Sequence, residues 1–137
     1  MQISPAGTAF IAENEGFEAQ VYNDNGKQAI GYGHDLRPGE SFPNGVTEEE
    51  AGTLLDQDVA LVEIVLAGIV PRSCTQNQWD ALCDFGYNLG VGALKAMLAH
   101  GWDQVPMQIL RWNHEDGTVS AGLTARRQKE VDLFNTP

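Results

Sequence analysis

Residues 13–34, ENEGFEAQVYNDNGKQAIGYGH, carry the features that decide the fold. Glu15 stands where a helix would end, because the next residue is Gly16 and glycine is common just beyond a helix C-terminus. The Asn-Gly pair at 25–26 is typical of a two-residue turn between antiparallel strands. The stretch therefore predicts a helix that ends at Glu15 and leads directly into a β-hairpin over residues 19–33.

On both sides of this stretch the chain carries signals of helices. Ser4-Pro5 predicts the start of the first helix, as an N-cap followed by proline. TEEE at 47–50 predicts a capping box before a long amphipathic helix, and Thr75 with Gln78 opens another that Gly90 and Gly92 should break. Residues 35–46 form a predicted loop, and three shorter helices are predicted near Ala93–His100, Asp103–Trp112 and Ala121–Phe134.

This order of elements predicts an α+β fold that is mainly α. At 137 residues we expect one domain, with a β-hairpin lobe at about 17–46 and a helical lobe at about 68–137 that packs with the N-terminal helix. The long helix would join the two lobes. A cleft between such lobes is a natural ligand site.

Composition limits the classes of function. With 8 Lys+Arg against 19 Asp+Glu the net charge is −11, so nucleic acid is not an expected partner. We expect no membrane span, because the apolar runs are short, and no signal peptide, because the start lacks a basic region before an apolar one. Cys74 and Cys83 are expected to be free thiols, and no zinc-binding spacing is present. We expect the chain to use no metal and no cofactor and to be a monomer.

Two carboxylates in residues 13–34 differ in their predicted surroundings. Glu15 faces the negative end of a helix dipole, which disfavours its ionisation, and burial would act in the same direction. Asp24 lies beside the polar turn and should stay ionised. One protonated and one ionised carboxyl across a cleft can cleave a glycosidic bond. Taken alone, an acid at a helix end and an acid in a turn are more often solvated surface residues than catalytic ones.

The motifs around these carboxylates resemble those of the phage-type lysozymes, the endolysins of glycoside hydrolase family 24. In the hairpin region the matches are Glu-Gly at 15–16, Tyr-x-Asp at 22–24 and Ile-Gly-Tyr-Gly-His at 30–34. TQNQWDALCDFGYNLG at 75–90 is similar to the family's central helix, and GLTARRQKEVDLF at 122–134 to its C-terminal one. The resemblance implies a lysozyme-like fold and hydrolysis of the β-1,4 bond between N-acetylmuramic acid and N-acetylglucosamine in bacterial peptidoglycan.

The resemblance also implies roles for single residues. Glu15 would donate a proton to the leaving sugar oxygen, and Asp24 would bind or activate the attacking water. Arg126 would pair with Glu15 and orient it. Tyr87 and Asn88 would line the substrate cleft, with plain core packing as the alternative for the tyrosine.

Further residues of the motifs are expected to support the site. His34 would be a structural histidine, hydrogen-bonded between the lobes. Gly31 and Gly33 would let the sugar chain approach the backbone closely. The three tryptophans lie at helical spacing and are expected to pack in the core rather than stack on sugars: Trp79, Trp102 and Trp112.

Ala29 departs from the family pattern, which has a threonine whose hydroxyl helps to position the attacking water. The turn is also one residue shorter than usual, and Gln28 or Asn25 would be the nearest polar replacements. Several readings stay open: a hydrolase that uses only Glu15 and Asp24, a slower or retaining variant, a lytic transglycosylase that needs only Glu15, and a non-catalytic wall-binding module.

The resemblance implies a location as well. An endolysin without a signal peptide would wait in the host cytoplasm and reach the cell wall by a holin-like route. Bacterial walls are largely anionic, so a net charge of −11 would repel this chain from them at low ionic strength. A high-salt working environment would screen that repulsion.

Overall fold

Six α-helices and five short β-strands form the chain, whose computed structural model describes residues 1–137. The order confirms the predicted α+β, mainly α fold. The helices are α1 (Pro5–Glu15), α2 (Glu48–Ala67), α3 (Gln76–Leu89), α4 (Val91–Leu98), α5 (Val105–Leu110) and α6 (Ala121–Phe134). The strands are β1 (Glu18–Asp24), β2 (Lys27–Gly31), β3 (His34–Asp35), β4 (His114–Glu115) and β5 (Thr118–Val119), and a 3₁₀-helix covers Trp102–Gln104.

Helix α1 ends where the sequence predicts. The Ser4 hydroxyl caps its start by accepting a hydrogen bond from a backbone N–H of the first turn. At the other end Gly16 has a φ of 74°, which glycine adopts without steric cost, and its N–H donates to the Ala12 carbonyl at 2.9 Å. The chain therefore turns sharply after Glu15, and this residue is fixed at the last position of the helix.

The predicted hairpin consists of β1 and β2, and β3 extends it to an antiparallel three-stranded sheet in the order β1-β2-β3. Asp24 pairs with Lys27, which leaves a two-residue turn. Its residues Asn25 and Gly26 both have positive φ, 51° and 86°, as a type I′ turn requires. The Asn23 side chain strengthens the turn by accepting from the Gly26 N–H at 2.8 Å. Asp24 thus stands at the tip of a well-defined hairpin.

Helices α2 and α3 both start with complete capping boxes, as predicted. Thr47 and Glu50 satisfy each other's backbone N–H groups, and Thr75 and Gln78 do the same. None of the helices, including the 20-residue α2, combines the length and apolarity needed to cross a membrane.

The main core draws on all six helices. It contains 18 buried apolar residues, Trp79 among them, while Trp102 and Trp112 pack against it. This confirms core packing for the tryptophans, and Cys74 and Cys83 are buried free thiols, as predicted. A second, small cluster lies between the hairpin sheet and α2 and consists of Ile30, Val46 and Ala51. The division into lobes at about 17–46 and 68–137 stays a prediction.

Two predicted helix boundaries are wrong. Helix α4 starts at Val91, so Gly92 lies inside it and only Gly90, with a φ of 91°, breaks the chain. Gly92 sits in the first turn, where helical N–H groups lack intrahelical partners in any case. The predicted helix at 103–112 is a 3₁₀-helix followed by the shorter α5, because Pro106 fits only in the first turn of a helix.

Three of the strands were not predicted. β3 lies at the start of the predicted loop and pairs with β2. β4 and β5 form a second hairpin between α5 and α6. Asp116 and Gly117 form its turn, with φ of 51° and 77°. An Asp-Gly pair is a hairpin signal, but strands of two residues show no alternation of polar and apolar residues that would reveal them.

Candidate active site

Glu15 lies between the C-terminal helix and the hairpin. Its Oε1 accepts a hydrogen bond from Nη1 of Arg126 at 3.2 Å, and its side chain is 16% exposed. On the other side the chain passes so closely that a Cβ at Gly33 would lie 3.2 Å from the Glu15 Oε2. The carboxyl group is therefore enclosed by α6 and the hairpin but still reaches solvent. The structure places Arg126 where the sequence predicted it.

Burial raises the pKa of Glu15, against the opposing effect of the Arg126 guanidinium. The negative charges of Asp84 and Asp24 raise the pKa further. The direction agrees with the expectation from the helix end, and it favours a carboxyl that keeps its proton closer to neutral pH than an ordinary glutamate does. Such a group is suited to act as a general acid.

Asp24 is exposed at the end of β1. Residues directly opposite each other in the pairing share a face, as do alternate residues of a strand. Ala29 pairs with Tyr22, two residues before Asp24, so Ala29 and Asp24 lie on one face. Gln28 pairs with Asn23 and lies on the other face. Gln28 is therefore the wrong residue to replace the missing hydroxyl.

Ala29 itself is covered. Its exposure is 0%, and its neighbours on the two flanking strands are Tyr22 and Asp35. The position at which the family carries threonine thus faces the same side as Asp24, but its methyl group has no contact with solvent. A hydroxyl here would need space that is now filled.

Asp84 belongs to the site and was missed from sequence. It is completely buried in α3, and its two oxygens accept hydrogen bonds from Nη2 and Nε of Arg126 at 2.8 and 3.0 Å. This paired arrangement fixes the plane of the guanidinium. Asp84 lies three and four residues before Tyr87 and Asn88, so a helical face shared with two predicted cleft residues is the signal that could have found it.

Tyr87 and Asn88 have partners within the protein. The Tyr87 hydroxyl donates to the Tyr32 carbonyl at 2.6 Å, and burial raises the pKa of this phenol. Its ring lines a cavity of about 430 Å³ beside Gly33. The Asn88 Oδ1 accepts from Nη2 of Arg127 at 2.6 Å. Contact of either residue with substrate stays a prediction.

Gly31 has a packing reason to be glycine. It is buried, its φ is 69°, and a Cβ there would lie 2.9 Å from the Ala51 Cβ of α2. The absence of a side chain thus lets the hairpin sit directly on α2. The backbone of Gly33 approaches the Glu15 carboxyl group instead. Close approach of a sugar chain to these two glycines stays a prediction.

His34 is a hydrogen-bonded histidine, but its partners lie in α2 and in the following loop, and none lies in residues 68–137. It is buried, with Nδ1 at 2.7 Å from Asp58 Oδ2 of α2 and Nε2 at 3.0 Å from Glu40 Oε1. Burial lowers the pKa of His34, but the two carboxylate hydrogen bonds outweigh it and raise the pKa overall. The imidazolium thus ties the sheet and the following loop to α2.

Known proteins resemble this chain in sequence and in fold. The family model for phage lysozyme matches residues 12–130. The chain is 34% identical to the endolysin of Bacillus phage B103 over 99% of its own length and 55% of that protein, so it spans about half the length of this relative. It is 31% identical to the endolysin of Salmonella phage P22 over 98% of both chains.

Among solved structures, the muramidase domain of SpmX from Asticaccaulis excentricus superposes with a TM-score of 0.84, at 31% identity and over 99% of both chains. The lysozyme-like architecture expected from the motifs is thereby confirmed. By sequence match and by fold, this chain belongs to the phage lysozyme family.

Proposed function

We propose that this protein is an endolysin that hydrolyses the β-1,4 bond between N-acetylmuramic acid and N-acetylglucosamine in peptidoglycan. The observation that carries the proposal is the setting of Glu15, a largely buried acid of raised pKa that Arg126 orients beside a hairpin bearing the exposed Asp24. A module that only binds the wall would not need an acid placed in this way.

Glu15 supplies the proton in this mechanism. Its protonated carboxyl donates to the glycosidic oxygen as the bond to the leaving sugar breaks. Arg126 then stabilises the carboxylate that forms, because its Nη1 already contacts Oε1. The Glu15 carboxylate regains its proton from solvent before the next cycle, since its side chain is 16% exposed.

Asp24 assists the water. It is exposed and lies on the hairpin face that also carries Ala29, so water can reach its carboxylate. Because residue 29 is alanine, no hydroxyl at this position helps to bind the water. That absence specifically favours a second candidate, a lytic transglycosylase, in which a hydroxyl of the sugar attacks and only Glu15 is needed.

The proposed partner is the glycan strand of bacterial peptidoglycan, which a monomer would bind. The proposed location is the host cytoplasm before lysis, with release to the wall by a holin-like route. The similarity to phage endolysins supports the wall as the place of action.

The nature of the product ends tests the reaction. Purified peptidoglycan is digested and the new glycan ends are identified by mass spectrometry. Reducing ends are the expected result. Anhydro ends would select the transglycosylase, and released peptides with intact glycan would contradict both candidates.

Glu15→Gln tests the acid. We expect normal folding and a loss of about 10²–10³-fold in the lytic rate, the size of a general acid contribution. Glu49→Gln is the matched control, because Glu49 is exposed on α2. It should retain the parental rate. Clearance of peptidoglycan by Glu15→Gln at the parental rate would exclude Glu15 as the proton donor.

A further inference from the structure

Glu130 is a buried acid to which the proposed mechanism gives no role. It lies one turn after Arg126 in α6 and its exposure is 0%. Its Oε1 accepts from Nη2 of Arg127 at 2.8 Å. Its Oε2 is buried and has no hydrogen-bond donor. An unsatisfied carboxylate oxygen inside a protein is costly, so this atom calls for an explanation.

Helix α6 packs on α3, and across this interface the completely buried carboxyl group of Asp84 acts on that of Glu130. Asp84 already accepts two bonds from the Arg126 guanidinium, so it is the acceptor of the pair. Two carboxylates cannot hydrogen-bond to each other, whereas a carboxylic acid can donate to a carboxylate. A proton on the Glu130 Oε2, donated to Asp84, therefore gives the otherwise unpartnered atom a hydrogen bond.

The charges around Glu130 agree with this assignment. Burial raises the pKa of Glu130, and the hydrogen bond and negative charge of Asp84 raise it further. Arg127 and Arg126 act in the opposite direction but do not outweigh these effects. A neutral Glu130 can still accept from Arg127 through Oε1 while it donates through Oε2.

We propose that Glu130 is a positioning residue: as a neutral acid it donates a hydrogen bond to Asp84 and thereby fixes the Arg126 guanidinium that orients Glu15. In this arrangement Glu130 of α6 donates to Asp84 of α3. Asp84 binds Arg126 of α6, which in turn contacts Glu15 of α1. Its catalytic consequence rests on the proposed function, because Glu15 is the acid of that mechanism. The protonation of Glu130 does not depend on the proposed function.

The protonation state of Glu130 also determines the net charge of the buried cluster of acids and arginines. With Glu130 neutral, the two arginines balance Asp84 and an ionised Glu15. With Glu130 ionised, the same cluster would carry an excess negative charge whenever Glu15 has given up its proton. A buried cluster with that excess would resist proton donation by Glu15.

Carbon-13 NMR of the glutamate side-chain carboxyls tests the protonation directly. The Glu130 resonance is assigned by its absence in Glu130→Gln. We expect the chemical shift of a protonated carboxyl, unchanged from about pH 5 to 8. A carboxylate shift anywhere in this range would overturn the proposal, whatever the activity of the protein.

The matched variants Glu130→Gln and Glu130→Leu test the positioning role. The glutamine amide can donate to Asp84 and accept from Arg127, so this variant should keep kcat within about twofold, with an unchanged pH–rate profile. The leucine has a similar volume but no donor. It should lower kcat about tenfold or more with little change in KM, because the hydrogen bond to Asp84 is lost.

The titration of Glu15, read in the same NMR spectra, needs no activity. Glu130→Gln should leave it in place, while Glu130→Leu should move it to higher pH, because a loosened Arg126 lowers the pKa of Glu15 less. Asp132→Asn, on the exposed side of α6, is the control. If glutamine is as harmful as leucine to this titration, Glu130 acts as an ionised partner of Arg127 and the proposal is wrong. A protein that shows these titrations yet cuts no glycan would refute the proposed function alone.

Discussion

The Arg126 guanidinium is shared between two carboxyl groups. Nη1 contacts Glu15, while Nε and Nη2 contact the buried Asp84. Removal of Arg126 would leave Asp84 buried without its partner, at a cost of about 3–5 kcal/mol. Arg126→Ala would therefore change folding as well as catalysis. A substitution at Asp84 distinguishes the two effects better.

Asp84→Asn is expected to move the pH–rate profile. The charge of Asp84 raises the pKa of Glu15, so its removal lowers that pKa. Without the competing carboxylate of Asp84, Arg126 keeps Glu15 as its one anionic partner, which acts in the same direction. Because a general acid works only while protonated, the falling limb of activity should shift to lower pH. The rate at the optimum should fall about fivefold, the equivalent of roughly 1 kcal/mol for a weakened hydrogen bond to Arg126.

Asp103→Asn serves as the control for this shift, since Asp103 is exposed in the 3₁₀-helix. It should leave both the profile and the rate unchanged. A falling limb that stays in place in Asp84→Asn would mean that Asp84 does not act electrostatically on the acid of the reaction.

Ala29 permits a matched pair of substitutions. Threonine and valine have nearly the same shape, and either must enter filled space, so both should lose about 1–3 kcal/mol of stability. Only threonine adds a hydroxyl on the face of Asp24. We expect Ala29→Thr to exceed Ala29→Val in turnover severalfold, since a hydrogen bond to the water is worth about 0.5–1.5 kcal/mol.

Turnover on a soluble chito-oligosaccharide, measured below each variant's unfolding temperature, separates the two effects. Equal rates for threonine and valine would show that no hydroxyl at this position reaches the nucleophile. With anhydro products, that result would favour the transglycosylase.

Sequence reasoning found the residues of the site that stand in a motif and missed those defined by packing. Glu15 and Arg126 are 111 positions apart, yet each lies in a recognisable pattern. Asp84 and Glu130 meet only because α3 packs on α6. Each looks like an ordinary helical acid until the fold shows that both are completely buried.

At the scale of the element, His34 joins β3 and the following loop to α2 through Asp58 and Glu40. Because the pKa of His34 is raised in the folded protein, its charged form stabilises the fold. This contribution is fully present below the pKa of an unfolded histidine, about 6.5, and is lost as pH rises through the folded value.

His34→Gln should therefore be more harmful at about pH 6 than at about pH 9. Urea unfolding of parent and variant at both pH values measures this, and each unit of pKa elevation contributes about 1.4 kcal/mol to the difference. His114→Gln, in the exposed β4, should show no such dependence. Equal destabilisation by His34→Gln at both pH values would show that the charge on His34 does not stabilise the fold.

Local signals also decided which elements could be predicted. The capping residues Thr47 and Thr75 and the Asn-Gly turn at 25–26 each act within a few residues, so the sequence shows them directly. The missed hairpin at 114–119 has strands too short for any pattern. Its position depends on α5 and α6, between which it lies, and no short stretch of sequence carries that information.

At the scale of the whole molecule, the acidic balance of 8 Lys+Arg against 19 Asp+Glu gives a net charge of −11. Acidic side chains at the surface extend this field into solvent, and they include the first turn of α2, with Glu48, Glu49 and Glu50. An anionic cell wall would meet a repulsive potential with a range of about 30 Å at 0.01 M salt and about 8 Å at 0.15 M.

The approach to the wall should therefore limit activity at low ionic strength. We expect lysis of whole walls to accelerate several-fold between about 0.01 and 0.15 M salt, because screening removes a barrier to encounter. Hydrolysis of neutral chito-oligosaccharides should change little over the same range, since those substrates feel no long-range repulsion. Comparing kcat/KM for the two substrates separates an effect on encounter from one on the active site. An equal salt response for both would place the effect in the site, near Glu15 and Arg126, and would leave the acidic surface without influence on the approach.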